Sequence, residues 1–263
     1  MSKAFKPEKS EPQGDDLSSL HTTFHDQRVV EHLNSIVPAG YAAASKYWET
    51  ALGCELLTPR MRELILLALH ATITSNNSDV ITRHVDRALA SGASEQDIMD
   101  VLLSIVGVSN HALYAAVPVL LSELQERGEE SQIPEAGPQS QALKESFIKA
   151  RGFWNEQRDT LARCMPKYVS ALNTLSTEPW KSGSLNAKER ELVYIAIDSS
   201  VTHMYGPGLR LHIRRALDAD ASVGEILEVF QLVAATGMEG FICGAHRLWE
   251  VAERDEHKSQ IKS

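Results

Sequence analysis

A chain of 263 residues is long enough for one or two domains around a substantial buried core. Its net charge of -9, from 26 basic against 35 acidic residues, argues against a nucleic-acid surface and leaves a small molecule or another protein as the expected partner. Cys54, Cys164 and Cys243 are odd in number and far apart, which excludes a disulfide framework and a zinc-type cysteine cluster; neither a metal nor a cofactor is expected.

Residues 1–16 are polar and aperiodic and read as a disordered leader without the apolar core of a signal peptide. No apolar run reaches the roughly 20 residues a membrane span needs, so no membrane contact is expected and the cytoplasm is the default compartment. Leu20, Phe24, Val29, Val30, Leu33 and Ile36 recur at helical spacing and predict one helix over 18–37, closed by Pro38-Ala-Gly40. A second helix is predicted over 41–52. Thr58-Pro59 is a helix start, with threonine as the N-cap and proline at the first helical position. The segment 63–74 that follows is apolar nearly all round, the mark of a central buried helix. Further helices are predicted from about Val80 to Ser91, from Ser94-Glu-Gln-Asp97 onward, and over 109–125.

Two prolines, two glycines and several polar residues make 127–141 a linker. The chain then repeats. Helices are predicted over 147–161 and 165–175, with Trp154 to Arg158 echoing Phe24 to Arg28, and Asn186 to Leu192 reproduces Thr58 to Leu64. Aligning 57–126 with 185–254 at a constant offset of 128 gives fifteen identities in seventy, His84 and His212 among them. No strand pattern competes, and the period is far longer than that of a solenoid. The expected organisation is all-α: a first module over 17–126, the linker, a second module over 142–255 and a tail over 256–263, each module large enough to be a complete helical domain.

The spacing from Arg190-Glu191 to His212, followed by Arg-Arg-Ala-Leu, a polar turn and Ile226-Leu-Glu-Val-Phe, resembles the carboxymuconolactone decarboxylase family, whose fold is that of alkyl hydroperoxidase D. The resemblance covers nearly all of the expected ordered chain, one family module per repeat, and the second copy is the closer match. The redox branch of that family carries Cys-x-x-Cys-x-x-x-His, with two thiols one turn apart at a helix N-terminus. Here those positions hold Asn77 and Val80 in the first copy and Tyr205 and Gly208 in the second. Without a thiolate, peroxide reduction there has no nucleophile, and the turn before each histidine is about two residues longer than the family pattern.

Several residues are candidates for chemistry. His212 and His84 lie in the first turns of their helices, where the dipole favours a neutral imidazole able to act as base and then acid. Glu191 and Glu63 are the expected relay acids by the resemblance, although a capping role would also explain them. At 1.5 Å per residue Glu191 lies roughly 18 Å before the turn and His212 about 7 Å after it, so contact needs a steep crossing or a bridging group. Asp198, whose repeat partner is His70, puts a charge in a nearly all-apolar helix and needs a polar pocket or an arginine such as Arg210 or Arg215. Arg215 and Arg87 follow the histidines by three positions and offer a carboxylate clamp. With His203, Tyr205, Cys243 and His246, the second copy is the richer; the first offers Asn76, Asn77, His84 and His111.

The resemblance implies an enzyme of the carboxy-lyase type, free of cofactors, acting on a small carboxylated lactone or related acid. The alternatives are a peroxiredoxin-type hydroperoxidase that would need Cys243 or Cys164, and a non-catalytic ligand-binding or scaffold protein. Single modules of the family form rings, so a tandem chain is expected to assemble as a homotrimer with six module positions, using apolar helices such as the one over 108–124.

Overall fold

The computed structural model describes residues 19–262, with side chains as far as Asp255. The leader expected over 1–16 lies outside the described residues. Those residues are helical throughout, with no strand. The first module contains α1 (Leu20–Phe24), α2 (Gln27–Ile36), α3 (Pro38–Leu52), α4 (Pro59–Ala71), α5 (Ser78–Ala90), α6 (Glu95–Val108) and α7 (His111–Arg127). The second contains α8 (Pro138–Arg151), α9 (Gln157–Cys164), α10 (Pro166–Thr177), α11 (Pro179–Ser182), α12 (Ala187–Ser199), α13 (Gly206–Asp218), α14 (Val223–Ala235) and α15 (Glu239–Lys262).

The start signals act where they were read. Thr58 accepts from the Met61 amide, and Ser94 and Asn186 each close a capping box with the acid three residues on; Ser222, not singled out in the sequence, does the same. Several boundaries differ. The single helix expected over 18–37 is two, because His25 takes a left-handed φ of 56° and Asp26 caps a new start at the Arg28 amide. Pro38 opens α3 instead of closing α2, since proline at the first helical position loses no hydrogen bond. The helix expected over 147–161 breaks at Gly152, where φ is 75°. Helix α8 begins inside the expected linker, and α15 continues through the expected tail.

The central helices α4 and α12 pack against each other, and almost all of their side chains are buried. The larger hydrophobic core draws Leu64, Leu67 and Val101 from the first module and Leu192, Ile195 and Val229 from the second. The modules are therefore not two separate domains; each supplies a wall that buries the other's central helix.

Polar ties repeat this reciprocity. Asp100 on α6 pairs with the buried Arg190 and accepts from the Leu185 amide at 3.0 Å, just before α12. Its repeat counterpart Glu228 on α14 accepts from the amides of Glu55, Leu56 and Leu57, just before α4, at 2.7–3.1 Å. Each carboxylate thus satisfies amides ahead of the other module's central helix, groups that would otherwise have no partner.

Two helical stretches, Glu95–Arg127 and Val223–Asp255, are long and apolar enough to cross a membrane by length and composition, which a search for unbroken apolar runs does not reveal. In the fold each is stepped at its middle, at Ser109–Asn110 and at the 3-10 turn Thr236–Met238, and one face joins the core. Met99, Leu103, Val106, Val223 and Leu227 stay exposed on α6 and α14.

Candidate active site

The same glutamate–histidine pair is built twice, each held by an arginine from a different repeat position. In the first module His84 Nδ1 donates to Glu63 Oε2 at 2.9 Å, and Arg62 holds the other oxygen at 3.1 Å. In the second, His212 Nδ1 donates to Glu191 Oε2 at 2.6 Å, and Arg215 Nε donates to Oε1 at 2.7 Å. The separation expected between Glu191 and His212 is absent because α12 ends at Ser199. The glutamate lies eight residues before that end, about 12 Å, and the histidine six residues after the start of α13, about 9 Å, so the two are nearly level.

The surroundings then diverge. Glu63 and His84 are both fully buried, and His84 does not line the neighbouring cavity beside α5. His70 stacks on His84 with ring centroids 5.3 Å apart, and burial drives its pKa down to about 3, with the charges of His84 and Arg83 acting in the same direction. Burial likewise lowers the pKa of His84 against the pull of Glu63. For Glu63 burial acts the other way, but the hydrogen bond from His84 and the charge of Arg62 outweigh it and keep its pKa below the ordinary value. Arg87 is buried and donates to Thr23 Oγ1 at 2.9 Å; Thr23 lines the cavity beside α5, and Arg87 itself does not.

His212, by contrast, lines a cavity of about 390 Å³. Its Nδ1 is committed to Glu191, so Nε2 is the free nitrogen, and the Tyr194 ring lies 4.7 Å from the imidazole. Tyr205 lines the same space and stacks on His111 at 4.0 Å. Arg215 does not line it: its second donor goes to the Arg151 carbonyl at 2.8 Å, so the guanidinium orients Glu191 and ties down α8.

Two arginines that the sequence reading did not single out as site residues face the cavity. Arg158 stands 4.0 Å over the Phe147 ring and donates to Asn173 at 2.9 Å; Arg151 stands 4.1 Å over Trp180 and donates to the Ser176 carbonyl at 3.1 Å. Both are buried, neither has a carboxylate partner among the described residues, and the Nε of each lacks any partner. Burial is the main influence on both and lowers their pKa values. A buried guanidinium on aromatic faces with donors to spare suits an anion. The only sequence signal for Arg158 is its place in the echo of Phe24 to Arg28.

Asp198 is fully buried and meets no arginine, neither Arg210 nor Arg215. Its Oδ1 lies 3.3 Å from His111 Nδ1 and 3.5 Å from His203 Nε2, and its Oδ2 lies 3.8 Å from His212 Nε2. Burial opposes its ionisation, but His111 and His203 outweigh that and hold its pKa below the ordinary value. For His111 burial wins and lowers its pKa.

The last helices exchange partners. His111 opens α7 of the first module yet belongs to the second module's site. Cys243 and His246 on α15 line a cavity of about 350 Å³ beside α5 of the first, where Cys243 Sγ lies 3.9 Å from Asn77 and His246 Nε2 donates to the Phe24 carbonyl at 3.3 Å. His246 is thus not beside His212. The sequence assigned these residues by module, and the fold crosses them over. Cys54, Cys164 and Cys243 are all unpaired.

Comparison with known proteins follows this geometry. The model of the carboxymuconolactone decarboxylase family matches residues 166–245, within the second module. A solved structure from Burkholderia xenovorans, described as a candidate gamma-carboxymuconolactone decarboxylase subunit, superposes with a TM-score of 0.81 at 31% identity, over 93% of this chain and 99% of that one. No curated protein matches significantly.

Proposed function

Because the chain belongs to the carboxymuconolactone decarboxylase family, we propose that its second module removes carbon dioxide from a small carboxylated lactone or related acid. The observation that supports this most is the convergence of a free His212 Nε2 with Arg151 and Arg158, two buried guanidiniums without carboxylate partners, on one cavity.

In this reading the arginines receive the substrate's anionic groups, since a buried cation with unused donors gains most from a carboxylate. The carboxylate leaves as carbon dioxide and its electron pair passes into the conjugated lactone carbonyl, giving a dienolate. His212 Nε2 delivers the proton that quenches the dienolate at carbon. Glu191 fixes the imidazole's orientation through Nδ1 and stabilises the imidazolium, and Arg215 fixes Glu191. Tyr205 forms part of the cavity wall beside His111.

Incubating pure protein with 4-carboxymuconolactone, and following carbon dioxide release with loss of ultraviolet absorbance, tests the proposal. Turnover that depends on His212 is the expected result; none above the His212→Ala control would sink it. A disulfide-based peroxidase finds less support, because Cys243 has no second thiol beside it among the described residues.

Assembly of chains into a homo-oligomer, three chains giving six modules, is part of the same proposal. The exposed apolar residues Met99, Leu103 and Val106 on α6 and Val223 and Leu227 on α14 support it. Sedimentation of a stable monomer would remove it.

A further inference from the structure

The buried carboxylates among the described residues follow a rule with one exception. Glu63 pairs with Arg62, Asp97 with Arg60, Asp100 with Arg190, Glu191 with Arg215 and Glu239 with Arg83. Asp198 is also fully buried, yet no arginine or lysine reaches it, and neither of its oxygens makes a hydrogen bond of good geometry. Only the imidazoles of His111, His203 and His212 face it. A carboxylate removed from water with no fixed counter-charge is costly, and three converging ring nitrogens point to what compensates it.

The pseudo-symmetric site shows how the fold otherwise meets this demand. His70, His84 and Glu239 occupy the positions of Asp198, His212 and His111, also one carboxylate with two imidazoles. There the Arg83 guanidinium pairs with Glu239 and supplies the positive charge. The residue at the position of Arg83 in the second module is Leu211, and the added group is His203, where the first module has Ser75. The second module lacks the fixed cation of the first and has an imidazole that the first lacks.

We propose that His111, Asp198 and His203 form a binding site for one divalent first-row transition cation of the zinc class, built between the two modules. His111 Nδ1 and His203 Nε2 are 2.9 Å apart, and Asp198 Oδ1 is 3.3 and 3.5 Å from them. A point equidistant from these three atoms is about 1.9 Å from each, so a cation slightly off their plane reaches the roughly 2.0–2.2 Å of zinc–nitrogen and zinc–oxygen bonds, replacing the hydrogen bond between the two imidazoles and displacing its proton. Two imidazoles and one carboxylate are a donor set that zinc, iron and cobalt accept, and three protein ligands leave a coordination position for water or substrate. The ligands come from the start of α7, the end of α12 and the turn that follows it, so the site exists only when the modules are packed together. The inference does not rest on the lactone reading, because its readout is metal uptake.

The experiment is a titration of the full-length protein, stripped with a chelator, with cobalt(II) as a spectroscopic probe and zinc(II) by calorimetry. One equivalent per chain with visible cobalt bands is expected. His203→Ala and Asp198→Asn should each weaken binding by at least about 100-fold, more than the loss of a supporting group does, while Glu239→Gln should leave the equivalent in place. His203 lies in a turn with a partly exposed side chain, so its replacement leaves the core intact, which circular dichroism verifies. Folded wild-type protein that takes up no cobalt would overturn the proposal, as would uptake that survives both ligand variants or that Glu239→Gln abolishes.

Discussion

The two modules place a glutamate and a histidine in the same arrangement, oriented by Arg62 in the first and by Arg215, from a different repeat position, in the second, and the main difference between them lies in what surrounds the pair. Around Glu63 and His84 the protein is closed: His70 covers the imidazole, and the nearby cavity is lined by Arg83, Cys243 and His246 but not by His84. Around Glu191 and His212 it is open, because Asp198 and Gly208 stand where the first module has His70 and Val80, and the aromatic and arginine residues of α8 and α9 frame a space. A duplicated dyad can hold a fold together in one copy and remain available for chemistry in the other. The identity of the dyad does not decide which; the volume and charge beside it do.

The largest effect that would test this contrast is on turnover. His212→Ala should lower it by about 10²- to 10⁴-fold, the usual contribution of a positioned acid or base. His84→Ala should leave turnover nearly intact and instead reduce stability by about 1–3 kcal/mol, since the buried Glu63 loses a hydrogen-bond donor. Steady-state kinetics on the lactone and denaturant melts of both variants separate the two roles. Equal losses of turnover would show that the modules are both active and break the comparison.

A smaller effect sharpens it at the helix start. A Cβ at Gly208 would run into Asp198 Oδ2 and crowd the Tyr205 ring, whereas the first module accommodates Val80 at that position. Gly208→Ala should therefore cost about 1–3 kcal/mol of stability by overpacking and lower turnover with it. A variant as stable and active as the parent would mean that α13 can move away from Asp198.

A last effect, on the pH dependence of stability and not on turnover, belongs to the first module. His70 is held at about 3 in the folded chain, so below its ordinary value of 6.5 the unfolded chain binds a proton that the folded one refuses. Its effect on stability is therefore absent above about pH 6.5 and grows as pH falls toward 3, at up to about 1.4 kcal/mol per pH unit for one proton. Urea melts between pH 4.5 and 7 should show this slope, and His70→Asn should flatten it. An unchanged slope in that variant would assign the acid limb to His84 or to other groups.

The start of α4 was legible in Thr58-Pro59, that of α12 in Asn186 to Glu189, and the duplication in the constant offset of 128, because caps and periodicity are local and repeat with the sequence. The Glu–His pairs were legible as residues but not as contacts, since the turn length that sets the two helices level depends on where Ser199 ends α12. Arg151 and Arg158 were not legible as site residues: an arginine at helical spacing reads the same whether it lies over aromatic rings in a cavity or in solvent. His111 and Cys243 were each assigned to the wrong neighbourhood for one reason. The helices that carry them, α7 and α15, run from their own module onto the other.

The sequence by itself determined an all-α chain written twice, the family to which it belongs and the loss of the redox thiols, because each of these is a matter of residue type at fixed spacing. Only the tertiary structure decided that the two copies share one core, that the site of one is completed by a histidine from the other, and that Asp198 alone among the described buried carboxylates has no arginine. These depend on contacts between residues far apart in the chain, 92 positions for His111 and His203 and 173 for Glu55 and Glu228. Such contacts are set by how two apolar faces bury each other, and no local pattern along the chain records them.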